Sequence, residues 1–347
     1  MFKRVFSKHQ VILFGGSKPI RCFTSNPRVQ KSVEESSQEK LLKIAIIGVP
    51  NAGKSTFINR LANHRVCPTS SKVHTTRTAS RTIVNYNDTQ MIFFDTPGLV
   101  TNRELHKHNL ESSFTSAYAH AIQHSNIIGV LHDVSNHWTR SELHPTVLKT
   151  LDRYKTFPSF LVLNKIDTLR SKRVLLDLVD KLTLSSLDGV RRKGAKEVEV
   201  DTKKLIGWAN FNRVFMVSAL TGNGMEGIMN FLNRKATTCP WEFTEGVHSD
   251  QSTETLIQDT VRARLLDFMP QEIPYTLECE LEYLQKVRGV LYASVQVICP
   301  NVRIEKLVCG GADGKLHQIT ERVSSDLVEA FRMPISITIT TTVRKNE

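Results

Sequence analysis

The sequence predicts an α/β domain followed by a smaller α+β domain, and three observations carry that prediction. The stretch GVPNAGKST at residues 48–56 lies between an apolar run, 41–47, and a helix-like segment, 57–61. Further apolar runs at 90–94, 160–163 and 214–217 each end in a short polar motif, as buried strands of an α/β sheet do. Beyond residue 252 the order changes to helix, two alternating strands, helix, glycine turn, helix and strand. The 347 residues, 40% of them hydrophobic, suffice for two domains of roughly 100–200 residues each.

Residues 1–40 read as an address rather than a fold. Lys3, Arg4, Lys8, Lys18, Arg21, Arg28 and Lys31 all precede the first acidic residue, Glu34, with serines between them. A basic, acid-poor start of this kind is the composition of a mitochondrial transit peptide. Residues 21–25 (RCFTS) have the arginine, aromatic and small hydroxyl residues of a matrix-protease site, so the mitochondrial matrix is the expected location. The apolar stretch 11–16 is too short for a secretory core. No apolar run approaches the roughly 20 residues of a membrane span, so no transmembrane segment is expected, and any contact with the inner-membrane surface is peripheral. The six cysteines lack CxxC spacing and read as reduced core thiols, not a zinc site or a disulfide framework. The net charge of +12 divides as +5 over residues 1–40, +12 over 41–239 and −5 over 240–347. Bulk charge therefore gives the last third no claim on RNA.

Residues 48–56 satisfy GxxxxGK[ST], with strand before and helix after, the context that makes this pattern a phosphate-binding loop (P-loop). Gly48 and Gly53 let the backbone through Asn51 and Ala52 to Thr56 turn its N–H groups inward, and the helix N-terminus adds positive potential. Lys54 reaches the β- and γ-phosphates and Ser55 offers an oxygen to Mg²⁺. Residues 70–77 (SSKVHTTR) lack a sustained period and read as a surface loop in which a threonine can meet Mg²⁺ when a γ-phosphate is present. Residues 80–85 and 90–94 flank a turn at 86–89, and the second strand runs into Asp95-Thr96-Pro97-Gly98. Asp95 can hold Mg²⁺ through water, and Gly98 can offer its N–H to the γ-phosphate.

Residues 126–133 read as another buried strand, and 160–163 as the next, ending in Asn164-Lys165-Ile166-Asp167. Asp167 can accept from guanine N1 and N2, Asn164 can contact the other edge, and Lys165 can lay its stem along the base. Adenine lacks that pair of donors and would leave the carboxylate unmet. Ser218, Ala219 and Leu220, after the strand 214–217, can close the base pocket with backbone N–H groups.

With these motifs in order, the chain resembles the Era family of translation-factor-related GTPases. The resemblance implies GTP and GDP as ligands with Mg²⁺, phosphate held at 48–56, γ-phosphate sensed at 95–98, guanine read at 164–167 and covered at 218–220. The run Thr75-Thr76-Arg77 matches the Era switch loop, with Thr76 the preferred Mg²⁺ contact beside Ser55 and Asp95, and Thr75 the alternative. Hydrolysis is assigned to Asn51, Lys54, Thr76 and Gly98. Leu99 stands directly after DTPG, where a water-positioning glutamine is absent, so slow turnover is expected. In related GTPases with asparagine at the position of Asn51, the resemblance implies a potassium ion (K⁺) beside the nucleotide; the alternative is that Asn51 caps its own loop.

Residues 41–237 are thus the expected GTPase domain. Within it, 183–212 form an insertion with Arg191, Arg192, Lys193, Lys196, Lys203 and Lys204, either an RNA-facing basic loop or a solvated excursion. Residues 238–252 read as a linker. Residues 253–268 form a helix ended by Pro270 and Pro274; 275–284 and 290–299 are strands turned at 286–289; 302–308 and 316–331 are helices either side of CGGADGK; 335–343 is the last strand. The order over 253–347 resembles the α+β, type II KH RNA-binding domain of Era proteins, as does MPQEIPY at 269–275. There a GxxG turn clamps the backbone of a single strand, and Gly310, Gly311, Gly314 and Lys315 are the candidates. The chain departs from that pattern. Asp313 falls where the second glycine belongs, or, slid by one residue, lies inside the clamp, with Lys315 to offset it. The resemblance implies an RNA chaperone that binds small-subunit ribosomal RNA near its 3′ end and assists assembly of the mitochondrial small ribosomal subunit. The rivals are a guanine-nucleotide-binding chaperone with negligible turnover, and a tRNA-modification GTPase, which would carry a different appended domain.

Overall fold

The computed structural model describes residues 39–70, 72, 80–99, 113–191, 206–270, 272–310 and 314–344. The chain runs through β1 (Lys40–Ile47), α1 (Lys54–Ala62), β2 (Ser80–Tyr86), β3 (Thr89–Asp95), α2 (Ser113–Gln123), β4 (Ile127–Asp133), α3 (Pro145–Arg153) and β5 (Ser159–Asn164). It continues through α4 (Arg173–Leu182), the small hairpin β6 (Ser186–Leu187) and β7 (Val190–Arg191), β8 (Phe211–Met216), α5 (Met225–Lys235) and β9 (Thr237–Thr238). The sheet order is β2-β3-β1-β4-β5-β8, with β9 on β1. β1, β3, β4, β5 and β8 are parallel; β2 and β9 run antiparallel to their neighbours.

A parallel sheet needs helices on both faces, which is why the middles of β3 (91–94) and β5 (160–163) read as apolar runs and both strands are buried at every position. One face packs Leu161, Leu163, Ile122, Leu178 and Phe211 together. The other packs Phe57, Ile58, Phe93, Phe160 and Leu232, with the Phe160 ring edge-on to Phe215 and Phe231 at 5.9 and 5.7 Å. From β1 the chain builds β3 on one side and β4 on the other. This reversal opens a crevice at the carboxyl end of β1, where ligands of such sheets bind.

Residues 238–252, read as a linker, are instead fastened along the first sheet. Cys239 N donates to Glu39 O at 2.9 Å and Trp241 Nε1 to Asp88 O at 3.2 Å. The Gln90 side chain accepts from the N–H groups of Glu242 and Phe243 at 3.0 Å each. Ile83 N donates to His248 O at 2.9 Å, and Arg81 pairs with Asp250 at 2.7 Å. The strap covers the free edge of β2, which would otherwise present unpaired backbone groups.

The second domain follows with α6 (Thr253–Phe268), β10 (Glu278–Val287), β11 (Val290–Cys299), α7 (Val302–Cys309), α8 (Lys315–Phe331) and β12 (Ile335–Val343). β11 pairs antiparallel with β10 and parallel with β12. One face of this sheet closes on the helices over Ile257, Val261, Val295, Val297, Ile319 and Leu327. Ser252 Oγ caps α6 through Thr255 N (3.1 Å), and Asn301 Oδ1 caps α7 through Ile304 N (3.0 Å). The strand expected from residue 275 starts later. Residues Ile273–Thr276 form a 3₁₀ turn instead, for which Pro274 supplies the fixed φ. The expected turn at 286–289 tightens to Arg288-Gly289, both at positive φ (49° and 83°), the signature of a two-residue hairpin turn. Of the basic insertion, Val190–Arg191 pairs with Ser186–Leu187; Arg192, Lys193, Lys196, Lys203 and Lys204 lie outside the described residues, as does the expected transit peptide.

Candidate functional site

The crevice holds a cleft of about 430 Å³ at the end of β1. From the phosphate-binding loop, Asn51, Gly53, Lys54, Ser55 and Thr56 line it, and Gly98 joins them. The opposite wall is Pro68, Thr69 and Ser70. Gly53 takes φ 93° at the N-cap of α1, so the helix starts at Lys54 rather than at Phe57. Lys54 Nζ donates to the carbonyls of Gly48 (3.2 Å) and Val49 (3.1 Å). Burial lowers its pKa to about 8, while the Asp95 carboxylate opposes that shift. Ser55 Oγ donates to Asp95 Oδ2 at 2.8 Å, a pair of hard oxygens at the cleft floor of the kind that suits Mg²⁺.

The DTPG segment is stitched to the phosphate loop. Thr96 Oγ1 donates to Ile46 O at 2.7 Å, and Leu99 N to Gly48 O at 2.9 Å. A Cβ at Gly98 would stand 2.6 Å from Pro50 N, so only glycine fits at this approach. Leu99 is 1% exposed and packs into the core, pointing no side chain at the cleft.

At the base end, Asn164 acts as a strut, where the sequence suggested an edge contact to the base. Its Nδ2 donates to Ala52 O at 2.9 Å and its Oδ1 accepts from Ala219 N at 3.0 Å. The Ala219 N–H, expected to face the base, is thereby spent on Asn164. Lys165 sits in the left-handed region (φ 66°), with Nζ on Asp133 Oδ2 at 2.7 Å. Asp167 is exposed on the 3₁₀ turn Ile166–Thr168. Ser218 Oγ accepts from Thr221 N at 3.1 Å, closing the loop over Leu220.

A family model described as a 50S ribosome-binding GTPase matches residues 43–165. The mitochondrial GTPase Era of Danio rerio is 33% identical over 350 residues, covering 91% of this chain and 78% of that protein. The chain belongs to the Era family of GTPases. Two crystal structures share its fold at 20% identity: an Aquifex aeolicus Era variant bound to GDP·AlF4⁻ (TM-score 0.71, 88% of this chain and 95% of that one), and Era in complex with MgGDPNP and nucleotides 1506–1542 of 16S ribosomal RNA (TM-score 0.70, 89% and 95%). The second domain of this Era chain is accordingly the type II KH domain.

Of the KH glycine turn, Gly310 caps α7 at φ 74° and Gly314 precedes α8 at φ 56°. Lys315 begins α8 half-buried, and a Cβ on Gly310 would stand 2.8 Å from its backbone N. Gly311 and Asp313 lie outside the described residues, as do Thr75 and Thr76 of the Era switch loop. Two site residues escaped the sequence reading. Asp133 anchors Lys165 while accepting from Ser135 N and Oγ at 2.8 and 2.6 Å, and its place at a strand's carboxyl end was the available signal. Arg60 of α1 donates through Nε to Ala219 O at 3.1 Å and through Nη2 to Leu220 O; nothing in the sequence links residues so far apart.

Proposed function

We propose that this Era GTPase works in the mitochondrial matrix, where it binds small-subunit ribosomal RNA near its 3′ end and assists assembly of the small ribosomal subunit under control of GTP. The observation that carries this reading is one chain holding both a cleft at the phosphate loop and a KH domain. The Era complex with MgGDPNP and 16S nucleotides supports it. The basic start and the mitochondrial names of relatives support the location. Ser55 and Asp95 would hold Mg²⁺, with Thr76; the ion would neutralise charge on the β- and γ-phosphates. Lys54 leaves the Gly48 and Val49 carbonyls for those phosphates, Gly98 N–H faces the γ-phosphate, and Asp167 accepts from guanine while Lys165 covers its face. Turnover is slow because Leu99 is buried and orients no water. Asn51 would hold K⁺, which would offset charge developing on the leaving phosphate.

Asp167→Asn should weaken GTP at least about a hundredfold and admit xanthosine triphosphate, whose 2-oxo group replaces the lost acceptor's partner; unchanged GTP affinity would refute the guanine assignment. Single-turnover hydrolysis, with and without ribosomal RNA and in potassium against sodium at matched ionic strength, tests the rest. Acceleration by RNA supports the assembly reading, and a potassium advantage lost in Asn51→Ala supports the ion. Negligible turnover under every condition favours the rival, a nucleotide-binding chaperone, for which the buried Leu99 speaks.

A further inference from the structure

Arg264 and Asp326 are buried charges, 8% and 2% exposed, that nucleotide chemistry does not use. Arg264, on α6, divides its guanidinium three ways. Nε donates to Asp326 Oδ2 on α8 at 2.5 Å, Nη1 to Asp267 Oδ2 at 2.6 Å, and Nη2 to the backbone carbonyl of Thr69 at 3.0 Å. The network continues on both sides. Ser70 Oγ donates to Asp267 Oδ1 at 2.8 Å. Arg65, in the loop after α1, reaches Asp326 Oδ1 at 3.0 Å through Nη1 and Thr69 Oγ1 at 3.4 Å through Nη2. Thr69 and Ser70 are the wall of the nucleotide cleft.

We propose that Arg264 is a positioning residue for the nucleotide cleft: through it the KH domain braces the wall formed by Thr69 and Ser70. The wall lies in a stretch without secondary structure, so its order must come from side-chain contacts. Asn59 Oδ1 fixes the near half through Val66 N (2.9 Å) and Cys67 N (2.7 Å). Two residues on, the anchors change to α6, with Lys72 Nζ on Met269 O beyond them. A guanidinium suits this post because its planar fork serves three acceptors in fixed directions, which an ammonium on a single stem does not reproduce. Two carboxylates and one carbonyl converge on it, so the buried charge is fully answered. The KH domain therefore completes the cleft rather than standing beside it.

This inference rests on reading the cleft as the nucleotide site. The test follows release of a fluorescent GDP analogue from full-length protein after a chase with excess GDP. Arg264→Lys keeps a positive charge opposite Asp326, and so the packing of α6 on α8, but cannot also reach the Thr69 carbonyl. Release from this variant should be about tenfold faster, the equivalent of one charge-assisted hydrogen bond, with KM for GTP raised and kcat nearly unchanged. Arg65→Gln cuts the network from the GTPase side and should speed release by a smaller factor. If lysine restores wild-type release, Arg264 serves only the KH core and the brace is refuted. Should Arg264→Lys lower the melting temperature, Arg65→Gln decides, and wild-type release there refutes the brace equally. A wild-type protein that never retained the analogue would overturn the nucleotide reading and the brace with it.

Discussion

The phosphate loop and the KH glycine turn share a local design. In each, a left-handed glycine, Gly53 or Gly314, caps a helix whose first residue is lysine, Lys54 or Lys315. Their surroundings differ. Lys54 is buried, just past the loop that follows the apolar, buried end of β1, between loop carbonyls and the Asp95 carboxylate. Lys315 is half-buried beside a turn, with α7 rather than a strand before it. A glycine-lysine helix start offers an anion a helix N-terminus and a cation in both places. What turns one of them into a discriminating cleft is desolvation, which makes each contact worth more and each mismatch costlier. Lys315 stays half in water, where a contact to a phosphate contributes little singly.

The contrast predicts unequal lysines. Lys54→Ala should lower GTP affinity by about a hundredfold or more, since it strips the buried counter-charge from two phosphates. Equilibrium titration with a fluorescent nucleotide reads this directly. A loss below about tenfold would mean that the loop backbone, not the lysine, carries binding.

Gly98 tests how tightly the DTPG segment must lie on the loop. In Gly98→Ala the new methyl meets Pro50 N at 2.6 Å, so the segment must retreat and the bond from Leu99 N to Gly48 O must lengthen. Hydrolysis should fall by about tenfold while GDP affinity changes little, because overpacking here moves only the γ-phosphate side. Equal single-turnover rates would show that Gly98 takes no part in hydrolysis.

The buried lysine also gives a pH signature. Its pKa is lowered from 10.5 to about 8 by burial, so the folded protein releases this proton earlier than the unfolded chain does. The cost of burying the ammonium is therefore present below pH 8 and is relieved as pH rises from about 8 toward 10.5, over which stability gains. Nucleotide binding runs the other way, because phosphate needs the charged form. Raising the pH from 7.5 to 8.5 should weaken GDP by about threefold and make binding take up protons, measurable by calorimetry in buffers of different ionisation enthalpy. Binding without proton uptake at pH 8.5 would show that Lys54 stays charged in the empty cleft.

Legibility in the sequence followed the same divide between strict and permissive chemistry. β3 and β5 were readable because strands covered on both faces are apolar through their middles, and the motifs at strand ends because phosphate and guanine demand particular residues. The roles that depended on distant partners were not. The strut made by Asn164 joins Ala52 to Ala219, and the fork of Arg264 joins Asp326 to Thr69; no local pattern encodes either. Residues 238–252 carried weak periodicity because a strap paired at an edge follows its partner's spacing rather than its own. The 3₁₀ turn Ile273–Thr276 was hidden by a run of residues that also suits a strand.

The smallest effect belongs to Lys315. Gly310 is a poor probe of the KH turn, since a side chain there would strike the backbone of Lys315 at 2.8 Å and distort the turn itself. Lys315→Gln keeps a polar side chain, one atom shorter, and the start of α8 while removing one charge. Binding to a single-stranded segment from the 3′ end of small-subunit ribosomal RNA should weaken by about two- to threefold at physiological salt. The slope of log K against log salt should become shallower by about 0.7, the counterion released per single-strand phosphate contact. GTP affinity should be unchanged, because Lys315 lies in the other domain, away from the cleft residues. A slope equal to the wild type's would remove Lys315 from the RNA surface and leave the KH groove to bind by base contacts alone.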